Sequence, residues 1–236
     1  MTPLTTPHSI LPLVIVLIPL LFSMAVGYLG KKAEHYRNVL AVFVTGITFL
    51  LAMILYLKVS VQPVGFYIDT FLGFGLNLCV DSLGAFFTLL SSFIWFLATV
   101  FSWTYMSHEQ ARSRYYFFLL LTEAGCLGVF LTGDLFSLFF FFELMSLASY
   151  PLVVHAETKE AMDAGQSYLF LGVAGGLSLL LGIILLNGFL GTVAFQPLLH
   201  KMYGLGAYRY LIAGLLLVGF GIKAGMAPLH IWLPKA

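Results

Sequence analysis

Residues 121–153 read LTEAGCLGVFLTGDLFSLFFFFELMSLASYPLV, two apolar runs joined by Gly133-Asp134, each with one glutamate inside it. A bilayer's hydrocarbon core, about 30 Å thick, is crossed by roughly 20 apolar residues at 1.5 Å of helical rise each. Tyr115–Leu131 and Leu135–Val154 meet that length, and the Gly-Asp pair between them is a tight turn. Working outward, the same test selects Ile10–Leu29, Val39–Leu57, Leu83–Met106, Ser167–Leu190 and Leu211–Ala227, which makes about seven spans. The fold class is therefore all-α, a polytopic transmembrane helix bundle.

Composition agrees. Of the 236 residues, 61% are apolar, 16% aromatic and 9% charged, against about 25% charged in soluble domains. The formal net charge of +1 gives no sign of a nucleic-acid partner, and the lipid bilayer is the surrounding that the composition indicates. Cys79 and Cys126 stand far apart with no CxxC, so they indicate neither a disulfide framework nor a metal site. The apolar run from Ile10 has no cationic stretch before it and reads as a retained span. Lys31, Lys32, Arg37, Arg112, Arg114 and Lys159 fall on one side of the bilayer, against Lys58, Lys201 and Arg209 on the other. The positive-inside rule then puts the N-terminus outside.

The connections carry their own signals. Ser60–Ser82 alternates in hydrophobicity and predicts a short hairpin at the membrane surface, and Asp81 reads as the N-cap of the third span. ETKEAMDA (157–164) reads as a loop. Gly172–Gly176 and Gly221–Gly225 have GxxxG spacing, the pattern of close helix packing.

Three charges lie within spans: Glu123, Glu143 and Lys223. A charge at a span centre costs about 2.5–3.5 kcal/mol on insertion scales, and two acids with one base can compensate one another. Glu143 follows four phenylalanines, Phe139–Phe142, some of which are expected to face lipid and others a low-dielectric wall. Lys223 stands among Gly219, Gly221 and Gly225, with Pro228 beyond. That pattern predicts a broken seventh helix with a second half starting at Pro228. Irregular backbone at membrane depth is tolerated inside protein or along a water-filled cavity.

These residues resemble a known family. Residues 121–153 and GFGIKAGMAPLHIWLPKA (219–236) look like the antiporter-like proton-translocating subunits. Such subunits occur in respiratory complex I, multisubunit cation/proton antiporters, energy-converting membrane-bound hydrogenases and formate hydrogenlyases. KAGMAPLHIWLPKA together with ETKEAMDAGQSYLFLG favours the hydrogenase-type branch. The resemblance implies that Glu143 is the family's fifth-helix glutamate and Lys223 the lysine of its broken seventh helix. Glu123 matches the fourth-helix carboxylate of one complex I subunit type. Gly225, Pro228, His230 and Lys235 take supporting places. Residues 1–114 then form three peripheral spans with a surface hairpin, and residues 115–236 the first, incomplete repeat of an inverted-repeat antiporter-like fold. Family members are roughly twice this length, so other membrane subunits, including a chain that completes the fold, are implied partners. The implied location is a prokaryotic inner or plasma membrane.

The function expected from residues and resemblance together is translocation of protons, or of Na⁺, within a redox-driven multisubunit pump. A buried Glu143–Lys223 ion pair would set how tightly Lys223 holds its proton; at about 4 Å and effective dielectric 20 the attraction is roughly 4 kcal/mol. The chain is expected to have no redox or hydrolytic centre and to bind no cofactor. His155 and His230 lie at span ends, not facing each other as haem ligands would. Two other readings remain open: a stand-alone or multisubunit cation/proton antiporter subunit, and a structural scaffold of a respiratory complex whose buried charges only fix helix packing.

Overall fold

The computed structural model of the chain describes residues 7–30, 33–69, 71, 73, 75–230 and 232. Its helices are α1 (Leu11–Leu29), α2 (Glu34–Val59), α3 (Ser82–Tyr105), α4 (Arg112–Leu131), α5 (Leu135–Val153), α6 (Lys159–Leu190), α7 (Leu199–Tyr203) and α8 (Tyr208–Lys223). A hairpin, β1 (Val64–Ile68) and β2 (Leu76–Val80), precedes α3, and a single 3₁₀ turn follows it.

Six of these helices, α1 to α6, are long and apolar enough to cross a bilayer. The seventh expected span is α8, which has 16 residues and reaches only about 24 Å. It stops at Lys223, short of a full crossing, as a broken helix must. By contrast α6 has 32 residues, about 48 Å, and overruns the hydrocarbon. Its extra length is at the start. Thr158 caps the helix by accepting the Ala161 N–H at 3.2 Å, so most of the expected ETKEAMDA loop is helical, carrying Lys159, Glu160 and Asp163 into the polar layer.

Aspartates begin two of the spans. Asp81 accepts the Gly84 N–H at 2.8 Å and starts α3, as its sequence context predicts. Asp134 accepts the Ser137 N–H at 2.7 Å and the Ser137 hydroxyl at 3.0 Å, starting α5. Hydroxyls within the spans turn back on their own helices: Thr48 to Val44 O, Thr88 to Gly84 O and Thr99 to Trp95 O. In oil no water is there to receive those protons.

The predicted hairpin is present, antiparallel with Val64 opposite Val80 and Ile68 opposite Leu76. Leu76, Leu78 and Val80 point inward onto Ile15, Val16, Leu55, Val59 and Leu131, sealing one end of the α1–α4 bundle. The hairpin is tied to the α4–α5 link. Gly133 N donates to Asn77 O at 3.0 Å, and Asn77 N to Ser137 Oγ at 2.8 Å. A Cβ on Gly133 would lie 2.5 Å from Cys79 Cβ, so the close approach requires glycine there. Near the opposite end, Arg37 lies buried in the first turns of α2. It donates to Asn38 Oδ1 and Ser113 Oγ and stacks over Tyr116.

Helix α5 is packed between α4 and α6. Gly125 and Gly128 of α4 let Met145 and Phe141 of α5 come against the α4 backbone. Of Phe139–Phe142, the last two are buried and the first two partly exposed. Phe140 and Phe141 join the core shared with α1, α4 and the hairpin, while Phe139 and Phe142 pack on Leu179, Ile183 and Phe220.

Candidate functional site

The site is built where α5, α6 and α8 meet. Helices α6 and α8 approach closely at Gly175 and Gly219. A Cβ on Gly219 would fall 2.7 Å from Leu179 Cβ and 3.0 Å from Gly175 O. Ser178 Oγ donates across the same seam to Leu215 O at 3.0 Å. Four residues on from Gly219 in the antiparallel neighbour, Lys223 comes level with Gly172, where an added Cβ would be 3.7 Å from its Nζ. From the other side, Glu143 sets its carboxyl against Gly176, where an added Cβ would overlap it at 2.7 Å from Cδ. Gly172–Gly176 thus seats a carboxyl and an ammonium, where its spacing suggested helix packing alone. Gly221–Gly225 is no packing motif either, because α8 ends between the two glycines.

Glu143 and Lys223 line one small cavity together with Ser146, Leu147, Tyr168, Leu169, Gly172 and Val173. They do not touch. The ion pairs among the described residues are Arg112–Glu34 and Arg114–Glu157, both at the bundle's end. Glu143 Oε1 is buried with no hydrogen-bond partner among the described residues. Lys223 Nζ instead donates to Tyr168 Oη at 3.2 Å and lies 4.6 Å from the centre of that ring. Tyr168 Oη is in turn 2.5 Å from Ser149 Oγ, which donates to Ser146 O at 3.0 Å. The direct ion pair expected from sequence is therefore open in this structure, because the two seats on α6 are one helical turn apart.

Tyr168, Ser149 and Trp232 were not singled out from sequence. A signal existed for the first. Tyr168, Gly172 and Gly176 recur every four residues and so lie along one stripe of α6. Trp232 packs edge-on against Tyr168 with ring centres 5.2 Å apart, and its Nε1 donates to Ile222 O at 2.8 Å. That carbonyl is one of those released where α8 stops. Met226 N satisfies Gly221 O at 2.9 Å, and Gly225 takes the left-handed turn at φ +66°. The break is thus paired within the protein, as oil demands. Pro228 and His230 are exposed and lie beyond it, outside the cavity lining, so His230 does not join the site. Lys235 lies outside the described residues, as does most of the expected second half-helix.

Glu123 is elsewhere. It is completely buried in α4, and neither carboxyl oxygen has a hydrogen-bond partner among the described residues. Phe141 and Met145 of α5 lie against Gly128 and Gly125 of α4. Glu143 points about 160–200° away from them at 100° per residue. Helix α5 therefore stands between the two carboxyls.

Comparison with known proteins supplies the family. The family model described as NADH:quinone oxidoreductase/Mrp antiporter, TM, matches residues 132–236. A second, described as NADH-Ubiquinone oxidoreductase (complex I), chain 5 N-terminus, matches residues 66–116. The chain belongs to the antiporter-like membrane subunits of the complex I and Mrp family. It is 31% identical to an Na(+)/H(+) antiporter subunit of Alkalihalophilus pseudofirmus over 94% of its own length and 46% of that protein. It is 31% identical to an NADH-quinone oxidoreductase subunit of Desulforudis audaxviator, over 96% of its length and 46% of the relative. The chain thus spans about half the length of the curated relatives it matches. Among solved structures it resembles a chain of the membrane-bound sulfane sulfur reductase, an archaeal respiratory membrane complex, at TM-score 0.84 and 25% identity. That match covers 96% of this chain and 47% of the other. It shares its fold with a chain of the Mrp complex from Dietzia sp. at TM-score 0.80 and 24% identity, over 96% and 43% of the two chains. These comparisons identify the family and leave the hydrogenase-type branch an expectation.

Proposed function

We propose that this chain translocates protons as one membrane subunit of a multisubunit, redox-driven ion pump, with Glu143 and Lys223 as the groups that load and release the ion. The observation carrying this reading is that Glu143 and Lys223, on different helices, share one cavity at the point where α8 breaks. Two opposite charges of this kind, placed among apolar helices, hold each other's ionised forms and loosen them when they part. The proton is also the better ion on chemical grounds. A site with an ammonium at its centre repels Na⁺, whereas a proton is carried on the amine itself. Two of the relatives, the Na(+)/H(+) antiporter subunit and a probable K(+)/H(+) antiporter subunit of Rhizobium meliloti, have the proton in common.

Redox drive is supported by the relatedness to an NADH-quinone oxidoreductase subunit and by the likeness to a respiratory reductase complex. Antiporter relatives favour the second reading, in which another cation's gradient supplies the work. The proposed setting is the cell membrane, beside other membrane subunits and a chain that completes the fold. The test is proton uptake by membrane vesicles containing the whole complex. Lys223→Ala should abolish uptake while the complex still assembles and its electron transfer partly persists. Uptake at the wild-type rate would overturn the proposal. Uptake driven by an imposed sodium gradient and indifferent to the electron donor would select antiport.

A further inference from the structure

We propose that Tyr168 is a positioning residue, a second resting place that holds the Lys223 ammonium off Glu143. The inference rests on the function proposed above and adds a third participant to it. Tyr168, Gly172 and Gly176 follow one another at successive turns of α6, so they form a straight track along its face. Lys223 Nζ lies over the middle position, Gly172. Toward one end is Glu143, seated on Gly176, and toward the other is the Tyr168 phenol. Absence of a side chain at Gly172 leaves the passage between them open.

The two ends differ in kind. Glu143 offers a full negative charge. Tyr168 offers a neutral oxygen at 3.2 Å and a ring face at 4.6 Å, which stabilise an ammonium without a counter-ion. Phe142 adds a more distant ring at 6.0 Å. The phenol is aimed for this task. Its Oη lies 2.5 Å from Ser149 Oγ and 3.4 Å from Ser146 O, to which the hydroxyl donates, and a lone pair of the same oxygen accepts from the lysine. Trp232 braces the ring from the far side of the break. The titratable groups facing the cavity are Glu143 from α5, Tyr168 from α6 and Lys223 itself. An ammonium at the phenol is held less firmly than one at the carboxylate. Tyr168 therefore defines the state from which Lys223 gives up its proton, and Glu143 the state in which it reloads.

The experiment reads Lys223 directly, without transport. Membranes containing the chain are treated with acetic anhydride across a pH series, and acetylation of Lys223 is followed by peptide mass spectrometry, with Lys159 and Lys201 as internal references for folding. Tyr168→Phe keeps the ring and loses the hydroxyl. It should move half-maximal acetylation of Lys223 to higher pH by about one unit, a tenfold change, because the amine settles beside Glu143. Ser149→Ala, which only unfastens the phenol, should move it the same way by less. In a Glu143→Gln background, Tyr168→Phe should no longer raise it. A midpoint that stays put or falls in Tyr168→Phe, with Glu143 present, overturns the proposal. So does an upward shift that survives Glu143→Gln. Because the readout is independent of flux, a failure here is distinct from intact uptake in Lys223→Ala, which would defeat the function itself.

Discussion

Glu143→Gln separates the role of charge from that of packing. The substitution keeps shape and hydrogen-bonding capacity and removes the negative charge. The seats of Glu143 and Lys223, Gly176 and Gly172, are one turn apart, so the charges are separated by about 6 Å along α6. At effective dielectric 20 their attraction is about 3 kcal/mol. Losing it weakens the hold of Lys223 on its proton by about a hundredfold, and flux limited by loading falls by the same factor. Gly176→Ala is the matched control. Its new Cβ would lie 2.7 Å from Glu143 Cδ, and the flexible carboxyl must retreat by about 1 Å to reach ordinary contact. That displacement changes the attraction by only about 0.4 kcal/mol, or twofold in flux. Proton uptake in vesicles holding the intact complex, normalised to the amount of assembled chain, reads both. Flux in Glu143→Gln above a third of wild type, or equal losses in the two variants, would falsify the electrostatic argument.

Two further perturbations probe the scaffold that holds the site. Gly133→Ala places a methyl 2.5 Å from Cys79 Cβ and 3.0 Å from the Asn77 side-chain amide, and a Cβ cannot move without its backbone; a loss of about 1–3 kcal/mol is expected, seen as earlier thermal unfolding in detergent and faster hydrogen exchange in β1 and β2. Burial holds the Asp134 carboxyl above the usual aspartate range, opposed by its bonds from Ser137. The folded chain therefore binds that proton more tightly than the unfolded chain does. The stability this confers is full below the ordinary aspartate value of about 3.9 and is lost as pH rises through the raised one. Asp134→Asn keeps an N-cap and should remove this pH dependence from thermal unfolding curves, while wild type retains it.

What the sequence by itself determined is the solvent of each segment. Crossing oil is a sum over consecutive residues, so the spans, the Asp81 cap, the hairpin and the stop of α8 among glycines and Pro228 were all readable locally. The same local logic identified Glu143 and Lys223 as charges that need an answer. Tertiary structure alone decided what answers them. Whether two side chains meet depends on how far each helix is rotated and how closely its neighbour approaches. Here that is settled by contacts between distant residues: Gly175 against Gly219, and Gly125 and Gly128 against α5. Those contacts turn Glu143 toward α6 and away from Glu123, and bring Lys223 over Gly172. They also make Tyr168, otherwise one more aromatic residue in an apolar helix, the group that the lysine touches. Periodicity along one helix carries no information about the rotation of another, because the energy that sets it lies in the packed interface between them.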